Sequence, residues 1–291
     1  MNTKFGATAV LMALLAGGAA RANDGGIAYG GSPKLLTGHP SVSMQSEVIT
    51  MRIGAENVTT DCRFIFKNSG KACAVRMGFP DQGEGVYDPD ENYGSYEKES
   101  DVPAHEIPVM QTPPRTTFDS FVSYVNGRRV KTKLIRANIP GKYWHTKTVT
   151  FPAYSVTRIR DVYSQHIPDQ NDERGSHKQV AYILHTGSSW HGPIGRSTVN
   201  ITFHRRTMPG PLTARQTKIV DDLETVNWKK ARFQDVYYIG PAVPTVSGRT
   251  LCFTRTNWRP GTKDDIRLFF REDPKAANKA YYVRYSKKGK K

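Results

Sequence analysis

Apolar and polar residues alternate one for one along much of the chain, the period of a strand with one face buried. Val42 to Ile53 and Val58 to Lys67 show it clearly, with Gly54-Ala55-Glu56-Asn57 as the turn between them. Cys62, Phe64 and Phe66 then share a face, as do Cys73, Val75 and Met77 beyond Asn68-Ser69-Gly70-Lys71, which predicts a hairpin. A second hairpin is expected where Phe118 to Val125 and Arg128 to Ile135 flank Asn126-Gly127, because Asn-Gly suits the two left-handed positions of a type I′ turn. Further strands are predicted at Tyr143 to Phe151, Val156 to Tyr163, Val180 to His185, Ser197 to His204, Val236 to Ile239, Thr250 to Thr256 and Asp265 to Phe270.

Helical spacing is confined to two places. Ile219, Leu223 and Val226 suggest a short helix, and Asp273-Pro274 before Lys-Ala-Ala-Asn-Lys-Ala suggests a capped helical turn. Many short strands separated by Gly and Pro predict an all-β protein of immunoglobulin-like β-sandwich class, two sandwiches in series with little helix.

The expected organisation follows from the breaks in this pattern. Residues 1–22 read as a signal peptide: Lys4, an apolar run from Ala7 to Ala16, then Ala20-Arg21-Ala22. That run is too short for a membrane span, and nothing after it approaches ~18 uninterrupted apolar residues. Residues 23–41 are rich in Gly and predict an irregular arm. A first sandwich is expected over 42–163 with an acidic loop at 80–115, a polar linker over 164–178, a second sandwich over 179–285 and a basic tail at 286–291.

Charge sharpens this picture. The formal net charge is +16, or +14 without the leader. Nine acidic residues and one Lys between Asp81 and Glu106 make a local balance of −8, which leaves +22 for the rest. A surface that basic attracts polyanions, and export points to an acidic glycan or an anionic cell-envelope surface rather than nucleic acid. The expected location is periplasmic or extracellular, with the oligomeric state left open.

On the Asn-Gly hairpin Arg129, Lys131 and Lys133 share a face, while Arg158 and Arg160 alternate with Ile159 and Asp161 on another strand. Together with Arg205 and Arg206 they form the candidate anion-binding set. The alternative to a binding face is the ordinary wet side of a sheet.

Three cysteines permit one disulfide and leave an odd thiol. In the expected hairpin register Cys62 and Cys73 lie about 13 Å apart, beyond the ~7 Å Cα separation that a disulfide spans. Three buried thiols are the favoured reading, with a bridge to Cys252 as the alternative.

Two constellations resemble metal sites. His185 and His191 flank a turn and His204 follows on a later strand, so three imidazoles would hold zinc or copper if they converged. Asp88, Asp90, Asn92 and Glu99 partly imitate a calcium loop, with alternate oxygens and a carboxylate at the twelfth position, although Tyr93 stands where the turn wants Gly. No cofactor is expected, with calcium at this loop the one exception. Ser95-x-x-Lys98 matches an acylating pair only by chance, and no G-x-S-x-G, HExxH or phosphate loop is present.

The segment Tyr182-x-Leu184-x-Thr186-Gly187-x-x-Trp190-x-Gly192-x-Ile194-Gly195 is the most distinctive in the chain. With Asn23-Asp24-Gly25, Phe64…Asn68…Gly70, Gly78-Phe79-Pro80 and Asn257…Pro260…Asp264-Asp265-Ile266, it resembles a family of exported bacterial proteins known as a domain of unknown function. The first half also resembles the von Willebrand-associated sandwich of inter-alpha-trypsin inhibitor heavy chains through Phe121-x-x-Tyr124-Val125-Asn126-Gly127. These resemblances imply fold and compartment, and neither supplies a catalytic residue.

The expectation is therefore an exported, non-catalytic binding or structural protein contacting an acidic polymer or surface. The alternative is an extracytoplasmic hydrolase using His185, His191 or a carboxylate of the acidic loop between the two domains.

Overall fold

A computed structural model describes residues 28–31, 34–36, 39–81, 116–136, 143–172, 175–221 and 225–271. The strands come in chain order as β1 (Ala28–Gly31), β2 (Lys34–Leu35), β3 (Val42–Ile53), β4 (Asn57–Asn68), β5 (Cys73–Asp81) and β6 (Phe118–Val125). Then follow β7 (Arg128–Val130), β8 (Lys133–Arg136), β9 (Tyr143–Phe151), β10 (Val156–His166), β11 (Asp169–Asp172) and β12 (Gly175–Ile183). The last are β13 (Ile194–Phe203), β14 (Thr217–Ile219), β15 (Val236–Ile239), β16 (Thr245–Ser247), β17 (Thr250–Trp258) and β18 (Ile266–Phe270).

They form an all-β sandwich around one large sheet of order β16-β17-β13-β3-β4-β10-β6-β7. Alternation dictates its two faces. Ile49, Met51, Cys62, Phe64, Phe66, Ile159, Tyr163, Val199, Ile201 and Phe203 all point inward and are buried. Two smaller sheets cover that face. A four-stranded one, β2-β5-β9-β8, lies over β4 and β10, where Phe66 meets Phe151 at 5.9 Å and Phe79 meets Tyr163 at 5.4 Å. A six-stranded one, β1-β12-β18-β15-β14 with β11 beside β12, lies over β13 and β17 through Phe203–Phe270 and Tyr238–Phe253. Each buried aromatic of this kind stabilises the fold by ~1.5–3 kcal/mol relative to exposure. Behind the six-stranded sheet a second cluster, Val226, Trp228, Ala231 and Phe269, is closed by His177 stacked on Trp228 at 4.3 Å.

Several sequence expectations change in the fold. The halves of the chain are interleaved rather than set in series: β3 and β13 pair in parallel from Arg196↔Ser46 to Phe203↔Ile53, and one hydrophobic cluster includes both. The described residues of the expected linker are largely strand, because β10 runs on to His166 and β11 pairs with β12. The arm contributes two edge strands, β1 on β12 and β2 on β5.

Cys62 to Met77 is an arch between layers, not a hairpin. β4 pairs with β3 and β10, whereas β5 pairs with β9. Both strands carry an apolar face toward the same core, and crossing the sandwich buries both. Asn68 holds the crossing: its buried amide donates to the carbonyls of Lys71, Phe151 and Pro152. All three cysteines are free thiols, Cys62 buried and Cys73 and Cys252 partly so.

Asn126 and Gly127 take φ values of 49° and 80°, the left-handed pair of a type I′ turn. Residues 217–219 are strand β14 where a helix was expected; its partner β15 supplies the backbone hydrogen bonds. The leader, the calcium-like loop, the turn at 273–274 and the basic tail lie outside the described residues.

Candidate anion-binding face

The outer face of the large sheet carries three of the seven candidate cations, Arg129, Arg158 and Arg160. Register places Arg160 beside Arg63, Arg158 beside Ile65, and Arg129 beside Tyr124, itself beside Arg160. Across β3, Arg63 aligns with Val48, Ile65 with Ser46, and Ser46 with Arg196. Arg52 and Lys67 point the same way. Seven cations thus stand on one face of the sheet, with strand spacing of ~4.8 Å and same-face steps of ~6.8 Å between them.

Asp61 is the acid within this array. Its carboxylate accepts from Arg160 Nε and Nη2 at 2.8 and 2.9 Å and from Arg63 Nη2 at 3.1 Å. Burial works against its ionisation, but the two guanidiniums outweigh it and hold the carboxyl below its usual range. Asp119, exposed, lies where the β6–β10 register shifts. Arg52, Lys67, Arg129, Arg158 and Arg196 have no acidic partner among the described residues. Val48, Ile65 and Val156 are exposed between them, at 40%, 36% and 46%, so apolar ground separates the charges.

The remaining candidate cations do not join one surface. Lys131 lies between β7 and β8, and Lys133 begins β8, which pairs with β9 in the four-stranded sheet. The hairpin alternation that put Arg129, Lys131 and Lys133 together fails because the chain changes sheet after Val130. Arg205 and Arg206 are exposed in the turn after β13.

The three candidate histidines are separated. The backbone of His191 bonds to Val42 and that of His204 to Ile53, at opposite ends of β3. The ten residues of β13 between them span ~30 Å at the strand rise, so they cannot share a metal ion. No group of three or more His, Cys, Asp or Glu suited to a metal occurs among the described residues. His185 instead bonds through Nδ1 to Asp265 Oδ2 at 2.7 Å, while Asp265 Oδ1 accepts the amides of Leu184 and His185. This clip joins two of the motif segments, and Tyr182 pairs with Ile266 beside it. Trp190 plugs the core against Phe66 at 4.4 Å. A side chain at Gly195 would meet the Gln45 carbonyl at 2.4 Å, where β3 bulges.

Two buried polar clusters escaped the sequence reading. Asp81 accepts from Thr117 N and Oγ1 at 3.1 and 2.6 Å and from Thr116 Oγ1 at 2.5 Å, with His145 Nε2 at 2.9 Å. The His145 ring stacks on Phe121 at 4.3 Å. The carboxylate therefore joins the two chain positions that bound the acidic segment. Lys147 and Asp161 form the second cluster. In the first cluster Thr116 Oγ1 also lies 3.2 Å from His145 Nε2, so a hydroxyl, an imidazole and a carboxylate meet behind the aromatic rings, and the Lys147–Asp161 pair is buried between the sheets. Among the described residues, no helix is long and apolar enough to cross a membrane.

No protein-family profile matches the chain, and no curated protein sequence is similar to it. Its fold is similar to that of a Legionella pneumophila protein described as a candidate nutrient binding protein, with TM-score 0.55 and 20% identity over 85% of this chain and 73% of that one. An M1 zinc metallopeptidase from Deinococcus radiodurans aligns at TM-score 0.33 and 9% identity, over 80% of this chain and 43% of that one. Leukotriene A4 hydrolase from Saccharomyces cerevisiae aligns at TM-score 0.40 and 8% identity, over 81% and 30%. The chain spans less than half of either enzyme, and at these values neither alignment bears on function. The first likeness shows a shared β-sandwich fold.

Proposed function

We propose that this is an exported, non-catalytic binding protein of the cell envelope or its surroundings, and that it holds an acidic glycan or anionic surface on the outer face of its large sheet. The single observation that carries the reading is the register that sets seven cations against Asp61 on one face. A rigid sheet fixes the spacing of those charges before a ligand arrives, so little ordering of the backbone opposes binding. Export is supported by the leader-like residues 1–22 and by the resemblance to an exported bacterial family. The nutrient-binding description of the Legionella protein agrees with a binding role. The Lys-rich residues 286–291 add positive charge and act as an electrostatic tether.

Titration of the full chain with polygalacturonate tests the proposal. Screening contracts to ~8 Å at physiological salt and to ~3 Å at 1 M, so affinity should fall steeply between low and high salt. Binding that is indifferent to salt, or no binding to any polyanion at low salt, would overturn it.

A further inference from the structure

A groove of about 500 Å³ opens among residues flanking β14 and β15, away from the strands that bear the cationic face. That volume lies within the ~300–1,000 Å³ of small-molecule sites. Its walls are tied together by backbone, since Val236 N donates to Gln216 O at 2.8 Å and β14 pairs with β15. Arg215, Arg232 and Phe233 are exposed along it, Phe233 at 37%.

The charge of the groove can be accounted for group by group. Asp235, the acid in its lining, is buried and accepts from Lys218 Nζ at 2.5 Å, so that carboxylate is already neutralised. Neither Arg215 nor Arg232 has an acidic partner among the described residues. The amides are oriented too. Thr213 donates twice to Gln216 Oε1, at 3.0 and 2.8 Å, and Gln216 Nε2 donates to Gln234 Oε1 at 3.1 Å. Gln234 Nε2 is left as a donor with no acceptor among the described residues. Arg271 lies 4.8 Å over the Phe233 ring and donates to the Ala231 carbonyl, which fixes one side of that ring.

We infer that this groove is a second binding site, for a small molecule that joins an oxyanion to a flat apolar body. Arg215 and Arg232 pair with the oxyanion, as planar guanidinium forks do with carboxylate or phosphate. Gln234 Nε2 adds a directional donor, and Phe233 covers the apolar part. The site is independent of the sheet face, and either can exist without the other.

Calorimetric titration of the full chain with benzoate, phenyl phosphate and acetate tests this. Saturable binding of benzoate or phenyl phosphate, tighter than acetate, is expected, and the stronger of the two identifies carboxylate or phosphate as the preferred anion. The Arg215→Ala/Arg232→Ala variant should bind at least tenfold more weakly, and Phe233→Ala should lose the preference over acetate. Both changes are at exposed positions, and an unchanged Tm confirms that the variants fold. Failure of both ring-bearing probes to bind the wild type, equal binding by the folded double-Ala variant, or an equal loss in Lys263→Ala at a remote exposed cation would each overturn the inference.

Discussion

Lys147 of β9 reaches across the sandwich and donates to Asp161 of β10 at 2.5 Å, with both side chains almost wholly buried. Ser123 of β6 accepts from the same ammonium at 2.6 Å. The second Asp161 oxygen has no partner among the described residues, so the pair is the principal compensation for burying that charge. Removing the ammonium alone should therefore cost more than removing both charges. Lys147→Met is expected to destabilise by about 3–5 kcal/mol, and Lys147→Met/Asp161→Leu by much less. Urea denaturation of the two variants checks the order. Equal losses would show that packing, not charge, holds this site.

The sequence carried part of this in its parity. Phe151, Val149, Lys147, His145 and Tyr143 fall on one face of a strand, and Ile159, Asp161 and Tyr163 on one face of another. Inward charges of opposite sign on two strands were therefore countable. Their meeting was not, because it depends on which strands face each other across the layers. The cationic face was partly visible in the same way: Arg158 and Arg160 could be read as wet-face residues, but Arg63 and Arg196 join them only through long-range register. Turn chemistry was legible where it is local, as at Asn126-Gly127. It misled at Asn68 to Lys71, where the arch and the hairpin share the same residues and differ only in tertiary pairing.

Alkaline pH should destabilise the fold through its buried, neutral acids. Burial raises Cys62, Tyr163 and Tyr182 well above their ordinary values, and Tyr182 donates to the Cys62 sulfur. In the unfolded chain these groups ionise near ~8.5 for Cys and ~10 for Tyr. The unfolded state then releases protons that the native state retains. The contribution of these groups should be flat below the unfolded Cys value and fall above it by ~1.4 kcal/mol per pH unit for each group that has ionised only in the unfolded chain. Urea midpoints between pH 8 and pH 11 measure the slope, and Tyr182→Phe should make it shallower above pH ~10. A flat profile across that range would rule out these groups as the cause.

Asp61→Asn should free Arg63 and Arg160 for an incoming anion. Because the guanidinium partners are 65% and 47% exposed, the stability change should stay within ~1 kcal/mol. The effect of acid has the same origin. With a depressed native value, Asp61 contributes stability above the unfolded carboxylate value of ~3.9 and loses it as pH falls through the native one. Affinity of Asp61→Asn for polygalacturonate should rise by a factor of about 1.4 to 5 at low salt, following the same ~0.2–1 kcal/mol scale. Weaker binding would mean that Asp61 positions the arginines more than it competes for them.

The most direct measurement compares the wild type with Arg158→Glu/Arg196→Glu, two exposed reversals on opposite sides of Ile65. Titrated with polygalacturonate at ~50 mM salt, where fields reach beyond the ~10 Å of 0.1 M, the folded variant should bind at least a hundredfold more weakly. Wild-type affinity in that variant would show that polygalacturonate is held somewhere else on the molecule.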